Sequence, residues 1–123
     1  RSTLFPYTTL FRSRSTHPSP LTTHPSPLNT HPTFTYITDM KSIDDDQLPL
    51  LAGVDTLVVN ALRFDRPHHS HQLVDDAVAF ARRIGARRTL LTHVCHDIGL
   101  HEQVNRQLPQ GVELAYDGQE LIL

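Results

Sequence analysis

From Phe34 onward, apolar and polar positions alternate between short continuous runs and a helical period. Phe34–Thr38 (FTYIT) is rich in β-branched and aromatic residues and stops at Asp39, which predicts a strand. Ser42 stands where it can cap a short helix over Asp44–Leu51, with acids in the first turn and Gly53 as its stop. Val54–Leu62 (VDTLVVNAL) contains a continuous apolar run, as expected of a strand covered on both faces. A polar loop, Arg63–Ser70, follows. Over Gln72–Ile84, the residues Leu73, Ala77, Phe80, Ala81 and Ile84 recur at helical spacing, as do Val74 and Val78, and Gly85 ends the helix. Arg88–Thr92 (RTLLT) reads as a buried strand, and Asp97–Leu108 as a helix closed by Pro109. Val112–Tyr116 and Glu120–Leu123 flank Asp117-Gly118, a hairpin turn signal. The order β-α-β-α-β-α-β-β predicts an α/β fold: a mostly parallel, helix-covered sheet finishing in a hairpin.

The pattern breaks near residue 33. Residues 1–33 contain no Asp, Glu or Gly, and they hold six of the nine prolines. Their only charges are Arg1, Arg12 and Arg14, whereas all 13 acids lie later. Residues 16–35 run THPSPLT, THPSPLN, THPTFT, a tandem repeat of seven. Proline twice per unit forbids a helix, so this stretch is expected to be extended or disordered. His17, His24 and His31 recur in it at one spacing; loose metal capture is one reading, passengers of a repeated unit the other. Residues 3–13 (TLFPYTTLFRS) resemble the translation of a sequencing-adapter oligonucleotide and make a poor signal peptide. The expectation is a disordered or artefactual segment, 1–33, joined to a folded domain, 34–123.

The overall charge of -2 argues against an electrostatic nucleic-acid binder. A single cysteine excludes a disulfide framework, and no apolar run approaches the roughly 18–20 residues of a membrane span. Histidine, at nine of 123 residues, is the outlier.

In parallel sheets, ligand sites collect just past the carboxyl ends of the strands. Three stretches fall there: Asp39, the loop Arg63–His71 (RFDRPHHSH), and His93, which opens His93-Val94-Cys95-His96-Asp97. A carboxylate and imidazoles converging at strand ends suit a hard or borderline divalent metal. Each has a plainer reading. Asp39 could be a turn residue or cap, His93 or His96 a cap of the last helix, and Ser70 the cap of the helix before it. Cys95 beside two histidines could be a nucleophile, although sequence neighbours rarely orient one another for that task.

Taken in order, Tyr36-Ile37-Thr38-Asp39, Pro67-His68-His69-Ser70-His71, Leu91-Thr92-His93-Val94-Cys95-His96-Asp97 and Pro109–Gly118 resemble the C-terminal half of a metallo-β-lactamase-fold hydrolase. The similarity is greatest to the phosphoribosyl cyclic phosphate phosphodiesterases and covers about Phe34–Leu123. The resemblance implies half of an αββα sandwich and a site for two divalent ions, zinc or manganese. It implies that Asp39 bridges the two ions and that His93 ligates the second. His71 would contact the substrate phosphate and assist leaving-group departure, with His96 in a supporting position behind the ligands. A bridging hydroxide would then attack the phosphorus of a small phosphodiester substrate, a cyclic phosphate. The family's His-x-His-x-Asp-His motif and one further ligand histidine have no counterpart here. A hydroxide-generating centre needs roughly three protein ligands, so this chain alone is expected to be inactive. Its uncovered sheet would be open to self-association. A bacterial, cytoplasmic location also follows from the resemblance. The competing class is a non-catalytic metal-binding or interaction module.

Overall fold

The computed structural model describes residues 9–13 and 32–123. It forms a five-stranded sheet in the order β1-β2-β3-β4-β5. The strands are β1 (Thr9–Ser13), β2 (Phe34–Thr38), β3 (Thr56–Asn60), β4 (Arg88–Thr92) and β5 (Val112–Leu114). β2 through β5 pair in parallel, and β1 adds antiparallel to β2. The predicted parallel α/β sheet is therefore present.

β3 is the central strand, and Leu57, Val58, Val59 and Asn60 are all buried along it, as its apolar run predicts. Helix α1 (Val74–Ile84) crosses from β3 to β4. Its stripe of Val74, Ala77, Val78, Phe80, Ala81 and Ile84 is buried, while Asp75, Asp76, Arg82 and Arg83 face solvent. That stripe packs with Ile37, Leu57, Val59 and Leu91 in one core. Gly85 ends the helix in the left-handed region (φ 68°), where a side chain would be strained. Ser70 does not cap α1; the Leu73 N–H is instead accepted by the Asp76 carboxylate at 3.2 Å.

Four expectations need correction. Thr9–Ser13, left outside the fold by its foreign composition, is an edge strand whose Thr and Phe content suits β structure. Residues 1–8 and 14–31, which include most of the repeat, lie outside the described residues. The short helix is a 3₁₀ turn over Asp45–Leu50 with Pro49 inside it, and Ser42 is not its cap. The helix predicted over Asp97–Leu108 is split into a 3₁₀ turn, His96–Ile98, and helix α2 (His101–Gln107). Gly99 lies between them at φ 108°, a conformation no helix can continue through. The terminal hairpin is absent among the described residues. Its turn forms, with Gln119 N–H donating to Tyr116 O at 3.1 Å, but β5 ends at Leu114 and Ile122 is fully exposed. β5 uses its inner edge to extend the parallel sheet against β4, and Glu120–Leu123 form no strand beyond it.

Asp55 ties the start of β3 to the approach to β2. Its carboxylate accepts from Thr33 N–H at 2.8 Å and from the Thr33 hydroxyl at 3.1 Å, and it pairs with Arg87 at 3.3 Å. The Thr33 backbone hydrogen bond, helped by its hydroxyl and by Arg87, holds this carboxyl below the usual carboxylate range. A depressed pKa contributes stability above the unfolded-state value and loses it as pH falls through the folded-state value. Wild-type stability is thus expected to fall below the ordinary carboxylate range more steeply than that of Asp55→Asn. Urea melts across acidic pH check this; parallel pH curves would refute it.

Candidate metal centre

The strand register determines where the candidate residues emerge. Ile37, Val59 and Leu91 lie side by side across β2, β3 and β4. Asp39 and His93 each follow two residues later, so they leave the sheet at the same level, on either side of β3. Strands that are not adjacent lie roughly 10 Å apart, yet Asp39 Oδ1 and His93 Nδ1 are separated by 3.4 Å. The backbone accounts for the approach. Asp39 (φ 56°) and His93 (φ 58°) are two of the three non-glycine residues with positive φ among those described. Asp and His tolerate this region better than most residues, and such conformations concentrate at functional sites.

His71 arrives from the loop between β3 and α1. Its Nε2 lies 3.0 Å from Asp39 Oδ1, and its ring centroid lies 4.6 Å from that of His93. Asp39, His71 and His93 each offer a ligand atom, and these atoms lie within 4.8 Å of one another. Tetrahedral zinc with bonds of about 2.0–2.2 Å sets its ligands roughly 3.4 Å apart. The distances from Asp39 Oδ1, 3.0 and 3.4 Å, match that spacing, and one oxygen with two imidazole nitrogens is a suitable donor set. The three form a partial metal-ligand group. The resemblance places His71 outside the ligands; the structure sets it with Asp39 and His93 at the carboxyl rim of the sheet, where the three could hold one ion.

His96 does not join them. Its side chain is 92% exposed and pairs with Asp97 at 3.1 Å. Cys95 is half-buried, lies outside the group and leads into the 3₁₀ turn. His101 lies on α2, where its Nε2 is 3.1 Å from Leu114 O.

Sequence reasoning missed the residues that hold the rim together. Asn60, fully buried at the end of β3, accepts from Met40 N–H and donates to Met40 O, both at 2.9 Å. Gln72, also buried, donates from Nε2 to Asn60 O at 2.8 Å, and its N–H reaches Met40 O at 3.2 Å. Met40 follows Asp39, and Gln72 follows His71. The clamp therefore fixes two members of the group through their chain neighbours. The available signal was an Asn at the end of an otherwise apolar run, where a buried amide must be fully hydrogen-bonded.

Further contacts close the rim. Lys41 Nζ donates to His71 O at 3.3 Å. Arg66, the third positive-φ residue, reaches from the β3 loop to Asp97 in the β4 loop. Hydrogen bonding to Arg66 holds the Asp97 carboxyl below its ordinary range. Behind His71, the Ser70 hydroxyl lies 2.8 Å from His71 Nδ1 and 3.2 Å from His68 Nδ1. Burial, with nearby His69 and His71, lowers the His68 pKa.

The sheet, parallel apart from its edge strand β1, brings a carboxylate and two imidazoles to one rim, a group that could hold a metal ion. The family model of the beta-lactamase superfamily domain matches residues 11–94, and the chain belongs to that family. Among solved structures, it is similar to a diphosphatase of the PhnP family, with 41% identity, a TM-score of 0.69, and coverage of 73% of this chain and 35% of that one. Two others share the fold. The short form of human tRNase Z has 23% identity, a TM-score of 0.58, and coverage of 73% and 33%. The metallo-beta-lactamase fold protein YhfI from Bacillus subtilis has 24% identity, a TM-score of 0.59, and coverage of 75% and 40%. A curated relative, an octanoyltransferase of Porphyromonas gingivalis, is 33% identical over 88 residues, which is 72% of this chain but 18% of that protein. The chain thus spans about a third of the first solved relative and under a fifth of the curated one. Among the described residues, no helix is long and apolar enough to cross a membrane.

Proposed function

We propose that this chain carries the C-terminal half of a site for divalent-metal-dependent hydrolysis of a small phosphodiester, such as a cyclic phosphate. The observation that carries the reading is the convergence of Asp39, His71 and His93, two of them in the left-handed backbone region. The 41% identity to a PhnP-family diphosphatase supports hydrolysis at phosphorus.

In this reading, Asp39 and His93 would hold divalent ions, zinc or manganese, through a carboxylate oxygen and a ring nitrogen. Bound metal would lower the pKa of water and offset charge developing on the phosphoryl oxygens. His71 has its Nε2 turned to the site, where it can hold or pass a proton at the leaving oxygen. Lys41 holds the His71 backbone from behind. On this reading the remaining ligands would come from outside these residues, and the chain alone would be inactive. Open sheet surface would then be available on which two copies could associate. A bacterial cytoplasmic setting goes with this reading.

The test is complementation. The full chain is joined to the N-terminal half of the PhnP-family relative and assayed with a chromogenic phosphodiester and a cyclic phosphate in zinc or manganese. Metal-dependent hydrolysis that disappears in His93→Ala is expected. Hydrolysis indifferent to chelator, or equal in the variant, would reject the reading.

A further inference from the structure

A groove opens beside the Asp39–His71–His93 group, between the loop after β2 and helix α1. One wall is residues 40–43, which follow Asp39 directly. The other is the α1 stripe Asp76, Ala79, Phe80 and Arg83, spaced i, i+3, i+4 and i+7 on one helix face. Gln72, the residue after His71, lies between them. The groove holds about 430 Å³, within the roughly 300–1,000 Å³ of small-molecule sites.

Its floor is fixed before any ligand arrives. Met40, Gln72 and Phe80 are buried. The Asn60 amide holds Met40 by its N–H and carbonyl, both at 2.9 Å, and Gln72 donates to Asn60 O at 2.8 Å. At the far end, Arg83 is neutralised by Asp45, 2.6 Å away. Asp76 is occupied at the helix start, where it accepts from Leu73 N–H at 3.2 Å. Lys41 differs. Its Nζ donates to His71 O at 3.3 Å, and among the described residues it pairs with no carboxylate. An ammonium carries three donors, so two remain for a ligand at the end nearest Asp39 and His71.

The groove therefore has a direction. A cation stands at the metal-site end, and the apolar surfaces of Met40, Ile43 and Phe80 run away from it. The complementary ligand has an anion at one end and an apolar ring at the other, the ring packing on Phe80. We propose that this groove binds the organic group of the phosphodiester, an aromatic ring lying on Phe80 and Ile43, with Lys41 against the phosphate. The inference rests on the proposed function and narrows its substrate class to phosphodiesters that carry an aromatic ring. The binding itself is readable without metal or turnover.

The experiment is amide NMR of the full nitrogen-15-labelled chain titrated with phenyl phosphate in chelator. Saturable shifts are expected at residues 40–43 and 79–83. Inorganic phosphate, which lacks the ring, is expected to bind about tenfold more weakly. Lys41→Met should weaken phenyl phosphate about fivefold, the upper end of what one partly exposed charge contact supplies. Ala79→Trp places a large side chain in the groove from an exposed helix position, and is expected to abolish the shifts at 40–43. The amide spectrum reports folding in each variant. Absence of saturable binding to wild type would overturn the proposal. So would phosphate binding as tightly as phenyl phosphate, or either variant binding as wild type does. An inactive hybrid enzyme would leave a positive titration standing, and an active one would not rescue a negative titration.

Discussion

Asp39→Asn is expected to weaken zinc binding to the chain by at least about a hundredfold, the upper end of what losing a residue behind the ligands costs. Asp39 is the hub of the group: both short distances, 3.0 Å to His71 and 3.4 Å to His93, end on its Oδ1. An amide keeps the shape and tolerates the left-handed backbone, but it removes the charge and most of the affinity of the oxygen for a hard cation. Isothermal calorimetry measures this against wild type. His93→Ala provides the parallel loss of a nitrogen donor. His96→Ala is the contrast, because its exposed side chain lies outside the group, and it is expected to bind as wild type does. Equal affinity in wild type and Asp39→Asn would place the bound zinc elsewhere.

Asn60→Ala is expected to have the largest effect on stability. It leaves the Met40 N–H without its partner in a fully buried position and leaves Met40 O with the Gln72 N–H alone. One buried backbone group left unpaired costs about 1–3 kcal/mol and the second lost hydrogen bond about 0.5–1.5 kcal/mol, so the loss should be roughly 1.5–4.5 kcal/mol. That is a large share of the about 5–15 kcal/mol that holds a small domain folded. Urea denaturation should show a lower midpoint with little change in slope. Zinc affinity should fall as well, because the clamp holds the residue next to Asp39. A midpoint within experimental scatter of wild type would mean that water or a backbone shift replaces the amide.

Much of the frame was readable because burial writes itself into period. The apolar run of β3, the helical stripe of α1 and the buried β4 were each predicted close to their observed bounds. Asp39 and His93 were readable because both directly follow such a strand. The errors share a physical cause: they concern partners rather than local pattern. Thr9–Ser13 becomes a strand only because the β2 edge is there to pair with it. Val112–Leu114 turns to β4 instead of to its own continuation. Gly99 is the one helix breaker within the Asp97–Leu108 pattern, and its φ of 108° divides it. The Asn60–Gln72–Met40 clamp joins the end of β3 to two loops distant in sequence, and no spacing rule connects them. The same holds for the His68–Ser70–His71 chain, whose residue types were visible but whose order of contact was not.

The central claim is that Asp39 and His93, leaving the sheet on either side of β3, are the core of a divalent-metal site. The most direct measurement is anomalous diffraction at the zinc edge from crystals of the zinc-loaded full chain. The account predicts an ion within bonding distance of Asp39 Oδ1 and a His93 ring nitrogen, with His71 beside it. Zinc held only by other histidines, with no peak at the Asp39–His93 rim, would contradict it.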